Sequence, residues 1–186
     1  ISLGHEVKMG SRTNSNEKAA DWVKSAGDKA SQGSFAESAA FGEIIFNCTK
    51  GEASVEALKL AGEKNINGKI LVDISNALDF SKGMPPTLSI CNDDSLGETI
   101  QRAFPGAKVV KTLNTMNCNL MVNAANVPGD HNVFVSGNDA AAKAEVKKIL
   151  NSFGGAYKNS IGRGDISTPR GRGRLLPIWI RLMGTL

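Results

Sequence analysis

Glu43-Ile44-Ile45-Phe46-Asn47-Cys48-Thr49 is the stretch that decides the fold. It is a nearly continuous apolar run, too short for a helix, and reads as a strand covered on both faces. A helix is predicted next, over Ala53–Ala61, and then a second run of the same kind, Lys69-Ile70-Leu71-Val72-Asp73-Ile74. Two buried-type strands joined through a helix pair in parallel. The alternation continues outward. Upstream, His5–Met9 reads as a strand, and Asn16–Ala26 as a helix with Ala19, Ala20 and Val23 at helical spacing and Gly27 as its stop. Ser34 caps a short helix through Phe41, with Glu37 completing a capping box. Downstream, Met84-Pro85-Pro86 forces a loop. Ser95–Phe104 is a helix closed by Pro105, Lys108–Leu113 and Asn132–Ser136 are strands, and Ala140–Phe153 is an amphipathic helix. Residues 154–174 show no clear period and read as irregular. Leu175–Leu186 reads as an apolar docking helix carrying Trp179 and Arg181. The predicted fold class is α/β, a doubly wound parallel sheet covered by helices.

The length of 186 residues fits one full domain. Hydrophobic residues at 41% and charged residues at 22% are ordinary for a soluble globular chain, and no apolar run approaches the ~18–20 residues of a membrane span. The net charge of +4 invites a nucleic-acid reading, but its location argues against one. From Lys158 onward six basic residues (Lys158, Arg163, Arg170, Arg172, Arg174, Arg181) stand against Asp165 alone, a net +5. The preceding 157 residues carry 16 basic and 17 acidic side chains, a net −1. Arg170-Gly171-Arg172-Gly173-Arg174 has no interleaved aromatic residue, so neither nucleic acid nor a membrane is an expected partner. Cys48, Cys91 and Cys118 lie far apart with no CxxC pair. They read as small buried hydrophobes in a cytoplasmic protein, with no disulfide framework and no metal site.

Folds of this kind carry GxGxxG after the first strand, where backbone amides approach a pyrophosphate. That motif is absent here; the nearest string, Gly162-Arg163-Gly164-Asp165-Ile166-Ser167, ends in serine at the far end of the chain. Ile1-Ser2-Leu3-Gly4-His5-Glu6-Val7 reads as the last turn of a helix, a glycine cap and the entry to a strand. The expectation is therefore a domain incomplete at its N-terminus, lacking the first strand and the phosphate loop.

Several motifs, in order, resemble one family. They are Leu3-Gly-His-Glu-Val-x-x-Gly-Ser-Arg12, Asp79-Phe-Ser-Lys-Gly-Met-Pro-Pro86, Val110-Lys-Thr-Leu-Asn-Thr-Met-Asn117, Asp130-His-Asn-Val-Phe-Val-Ser-Gly137 and Leu175-Leu-Pro-Ile-Trp-Ile-Arg-Leu182. Together they are similar to the NADPH-dependent coenzyme F-420 reductases, also called F-420-dependent NADP oxidoreductases. The resemblance implies an NAD(P)-binding Rossmann fold, with residues 1–153 as the NADP-binding domain and 154–186 as a basic segment and docking helix of that domain. It also implies an NADP-dependent oxidoreductase passing a hydride between NADPH and a small-molecule acceptor, a deazaflavin (coenzyme F-420) or a flavin. A flavin or ferric reductase, and an NADP-sensing module without catalysis, remain alternatives, and a homodimer stays open.

Candidate residues follow from position. Ser11 and Arg12 come directly after a strand, where an acidic residue would select NAD; a hydroxyl and a guanidinium suit the 2′-phosphate of NADP instead. The resemblance adds Lys18 as a third phosphate contact. Thr49, Asn76 and Asn114, with Thr115, lie just beyond strand ends, where parallel sheets bind ligands. Lys50 and Ala77 stand where the family usually has proline. No acid–base pair is evident: His5 and His131 read as structural, and Ile161, not lysine, stands four residues after the single tyrosine, Tyr157. Catalytic side chains are left unassigned, which suits ring-to-ring hydride transfer needing alignment more than proton donors.

Overall fold

Leu71, Val72 and Asp73 are completely shielded from solvent, and the architecture follows from what covers them. The computed structural model describes residues 1–153, 159–162 and 164–183. In chain order the strands are β1 (Val7–Ser11), β2 (Ala30–Ser34), β3 (Ile44–Asn47), β4 (Ile70–Asp73), β5 (Leu78–Asp79), β6 (Thr87–Leu88), β7 (Lys108–Thr112), β8 (Asn132–Ser136) and β9 (Asn159–Ile161). The helices are α1 (Glu17–Ala26), α2 (Phe35–Phe41), α3 (Gly51–Ala61), α4 (Glu63–Ile66), α5 (Leu96–Ala103), α6 (Cys118–Met121), α7 (Ala140–Ser152), α8 (Pro169–Gly173) and α9 (Leu175–Met183).

The main sheet has five strands in the order β3-β4-β7-β8-β9. β3, β4 and β7 are parallel, with Asn47 opposite Asp73 and Asp73 opposite Lys111 at their C-terminal ends. Side chains alternate across it, as the pleat requires. Leu71 and Val109 join Leu58, Ile100 and Phe104 on the face covered by α3 and α5. Val72 and Val110 join Val133, Val135, Val146 and Leu150 on the α7 face. Helices on both faces are what the apolar runs demand, because a strand wet on one side would alternate with polar residues. The protein is thus an α/β, Rossmann-like fold.

Three features of the strands differ from the sequence expectation. β8 runs antiparallel to β7, with Lys111 opposite Ser136, so the sheet is mixed rather than wholly parallel. β2, Ala-Ser-Gln-Gly-Ser, was not anticipated; it pairs in parallel with β1 in a separate two-stranded sheet, Met9 opposite Gln32. Its polar sequence hides it, because Ala30 and Gly33 are covered by virtue of their small size. And β3 is half open: Phe46 is 41% exposed, since among the described residues β3 pairs with β4 alone and β1 with β2 alone.

Residues expected to be irregular are partly ordered. Ile166 is buried against α5; a Cβ on Gly97 would meet its Cδ1 at 3.1 Å, so glycine there admits the segment. β9 and α8 also lie within this stretch. Residues 154–158, 163 and 184–186 lie outside the described residues, and with them the reading of Tyr157 and the last three residues of the predicted docking helix. The capping box of α2 is present, Glu37 N–H donating to Ser34 Oγ at 3.2 Å and Ser34 N–H to Glu37 Oε2 at 2.7 Å. No helix among the described residues is long and apolar enough to cross a membrane.

Candidate cofactor and acceptor site

The C-terminal ends of β3, β4 and β7 converge on a buried polar network. Lys111 Nζ lies 2.7 Å from Asp73 Oδ2, with the two side chains 4% and 0% exposed. The same ammonium donates to the Ser75 carbonyl. Asp73 Oδ1 accepts from Asn47 Nδ2 at 2.9 Å and from the Ser75 N–H at 3.1 Å. Asn47 Nδ2 also reaches Ser54 Oγ at 3.0 Å, while its Oδ1 accepts from Thr49 Oγ1 at 2.7 Å. Each buried polar atom in this set has a partner, as burial requires.

Above the network the chain leaves β4 and β7 in loops that hold each other. Asn76 Nδ2 donates to the Asn114 carbonyl at 2.9 Å, and Asn114 Nδ2 returns a bond to Asn76 Oδ1 at 3.1 Å. The turn needs a left-handed residue, and Leu113 supplies it with φ +59°. On the β3 side, a Cβ on Gly51 would strike the Asn76 carbonyl, so glycine lets the start of α3 close on this loop.

Two cavities meet the clasp or the residue after it, one at Asn76 and one at Thr115. One, about 250 Å³, is lined by Cys48, Thr49, Gly51, Ser75, Asn76 and Phe80. The other, a groove of about 480 Å³, is lined by Thr115, Met116, Phe134, Leu176, Trp179 and Leu182. His131 lines the groove as well, its Nε2 2.6 Å from the Val127 carbonyl. α9 reaches the groove because its segment is fastened to the body. Arg170 makes a forked ion pair with Glu98, its Nε 2.8 Å from Oε2, and Arg174 reaches Asn92 Oδ1 at 3.2 Å.

Of the sequence-predicted residues, Thr49 and Asn76 share the smaller cavity, Asn114 is clasped to Asn76, and Thr115 opens onto the groove. Ser11, Arg12 and Lys18 sit apart, around the C-terminal end of β1 and the first turn of α1. There Ser11 Oγ donates to the Thr13 carbonyl, and Asn16 N–H donates to Gln32 Oε1 at 3.3 Å, tying the loop to β2. Arg12 and Lys18 are exposed, and neither is paired with a carboxylate among the described residues.

The cysteines do not follow the expectation: all three are exposed. Cys48 follows β3 and lines the smaller cavity. Partial desolvation of the thiol and then the nearby Asp73 carboxylate push its pKa up, away from a reactive thiolate. Sequence reasoning missed Asp73, Lys111, Asn47, Ser54 and Ser75. The available signal was a carboxylate closing the apolar run Ile-Leu-Val-Asp and a second lysine, past the edge residue Lys108, inside Lys-Val-Val-Lys-Thr. Charges are almost never fully buried unless paired. No group of three or more histidines, cysteines and carboxylates that could hold a metal occurs among the described residues.

Comparison with known proteins bears on this geometry. Residues 1–77 match the family model described as NADP oxidoreductase, coenzyme F420-dependent. The crystal structure of an Arthrobacter sp. protein, provisionally named an F420-dependent NADP-reductase, is 53% identical, covers 99% of this chain and 85% of its own, and superposes with a TM-score of 0.91. This chain belongs to the F420-dependent NADP oxidoreductase family. An F420-dependent NADP reductase of Methanocaldococcus jannaschii is 28% identical over 142 residues, 76% of this chain. The match spans 62% of that relative's length. The imine reductase of Myxococcus stipitatus, solved with NADP+, shares the fold at 19% identity and a TM-score of 0.65, covering 99% of this chain and 56% of its own.

Proposed function

We propose that the protein passes a hydride between NADPH and a deazaflavin or flavin ring, with coenzyme F420 the favoured acceptor. The observation that carries the reading is the pair of cavities at the Asn76–Asn114 clasp, one lined by Asn76 and the other by Thr115, which follows Asn114. The smaller one, with Thr49, Ser75 and Asn76 in its wall beside Ile74 and Phe80, suits the nicotinamide end of a dinucleotide. The larger is apolar, carries Trp179, and suits a flat aromatic ring system. Ser11, Arg12 and Lys18 would take the 2′-phosphate, the guanidinium contributing a planar, permanent charge that no carboxylate among the described residues pairs with. The nicotinamide supplies the hydride; the chain's own part is to fix the two rings and exclude water between them.

The test is a titration of the full-length protein with NADPH and with NADH, followed by addition of F420 or FMN while nicotinamide absorbance is read. Tighter binding of NADPH, and its oxidation on adding F420, are the expected results. Equal affinity for NADH would overturn the Ser11–Arg12 assignment. Binding without oxidation by either acceptor would favour an NADP-sensing role, and oxidation by FMN alone a flavin reductase.

A further inference from the structure

We propose that the buried Lys111–Asp73 ion pair is a positioning device for the nicotinamide end of the cofactor; the proposal rests on the NADP reading above. Taking two charges out of water is costly, and an apolar pair of the same volume often serves stability as well. The strands do not need the pair to stay together. Their backbones are already in register at these residues, Asn47 opposite Asp73 and Asp73 opposite Lys111. What the pair does touch is the two segments that wall the smaller cavity.

Lys111 donates to the Ser75 carbonyl, and Asp73 accepts from the Ser75 N–H at 3.1 Å, so residue 75 is held at both backbone poles. Ser75 Oγ in turn donates to the Thr49 carbonyl at 2.8 Å. On the β3 side Asp73 accepts from Asn47, whose other amide atom accepts from Thr49 Oγ1 at 2.7 Å. One carboxylate and one ammonium thereby set Thr49 from two directions and deliver Asn76 to its clasp. Neither charged side chain lines the cavity itself. Lys111 and Asp73 are positioning residues, acting on the cofactor through Ser75, Asn47 and Thr49.

The experiment compares two ligands on the full-length protein: NADPH, and 2′-phospho-ADP, which lacks the nicotinamide. The variants are Lys111→Arg, which keeps the charge but not the geometry, and the paired replacement Lys111→Met with Asp73→Leu, which leaves no orphaned charge. The expected result is NADPH affinity reduced by at least about tenfold in each folded variant, with 2′-phospho-ADP binding unchanged. Equal weakening of both ligands, or of neither, in a folded variant would show a purely structural role and overturn the proposal. Should the paired replacement fail to fold, Lys111→Arg decides the question by the same criterion. A wild-type protein that binds neither ligand would instead bring down the NADP reading, and this proposal with it.

Discussion

The main sheet around β4 and β7 and the two-stranded sheet of β1 and β2 are built from strands of similar length but are sealed to opposite degrees. In the first, Leu71, Val72 and Val110 have no exposure at all; in the second, Val7 and Met9 are 37% and 36% exposed. The rim of the first ends in a closed network of hydrogen bonds around Asp73, while the rim of the second ends in exposed Arg12 and Lys18. The contrast matches the two jobs proposed for them. A ring that gives up a hydride needs walls fixed to fractions of an ångström. A phosphate needs charge, and a loop at the surface provides that without burying a cation.

The comparison breaks first, if it breaks, on stability. Leu71→Ala is expected to cost about 2–5 kcal/mol, whereas Met9→Ala should stay within about 0.5 kcal/mol. Urea denaturation of both variants measures this; equal losses would mean the two sheets are sealed alike. Next in size, Arg12→Ala should weaken NADPH binding by about 10–100-fold, the worth of a charge-assisted contact. NADH affinity and the unfolding midpoint should not move. A drop in NADH binding of the same size would place Arg12 on the dinucleotide backbone instead of the 2′-phosphate.

A smaller effect tests how the groove is held. Glu98→Gln removes the charge that Arg170 grips, at a small cost in stability because the guanidinium is exposed to solvent. Its signature is faster hydrogen exchange in Leu175–Met183 with β4 and β7 unchanged. The smallest effect is the acid limb. Asp94 is held below its ordinary pKa, chiefly by its side-chain bonds to Arg102, and Asp139 chiefly by the Ala142 N–H at the start of α7. A depressed carboxylate stabilises fully above its unfolded pKa of about 4 and loses that contribution as pH falls through the folded value. Stability should therefore be flat above about pH 5 and decline below pH 4. Asp94→Asn should make that acid decline shallower.

Much of the main sheet was legible in the sequence because an apolar run such as Ile70–Asp73 is satisfied by cover on both faces. β2 was not, because Ala-Ser-Gln-Gly-Ser is held by its pairing with β1, a contact made across the intervening helix that no local pattern encodes. The reversed direction of β8 was equally hidden: the segment between Thr112 and Asn132 permits either sense, and composition says nothing of which. At the site, residues just past strand ends could be named, since the fold fixes where ligands go. Thr49, Asn76, Asn114 and Thr115 do cluster there. The pair beneath them escaped notice because Asp73 and Lys111 are 38 residues apart and are brought together only by strand register.

The central claim, direct hydride passage between two rings held at the clasp, meets its sharpest test in isotope transfer. NADPH deuterated at the transferred position of the nicotinamide is mixed with the protein and oxidised F420, and the mass of the reduced deazaflavin is read. The account predicts that the label moves into the acceptor ring. Label lost to solvent, or no oxidation of bound NADPH, would contradict it.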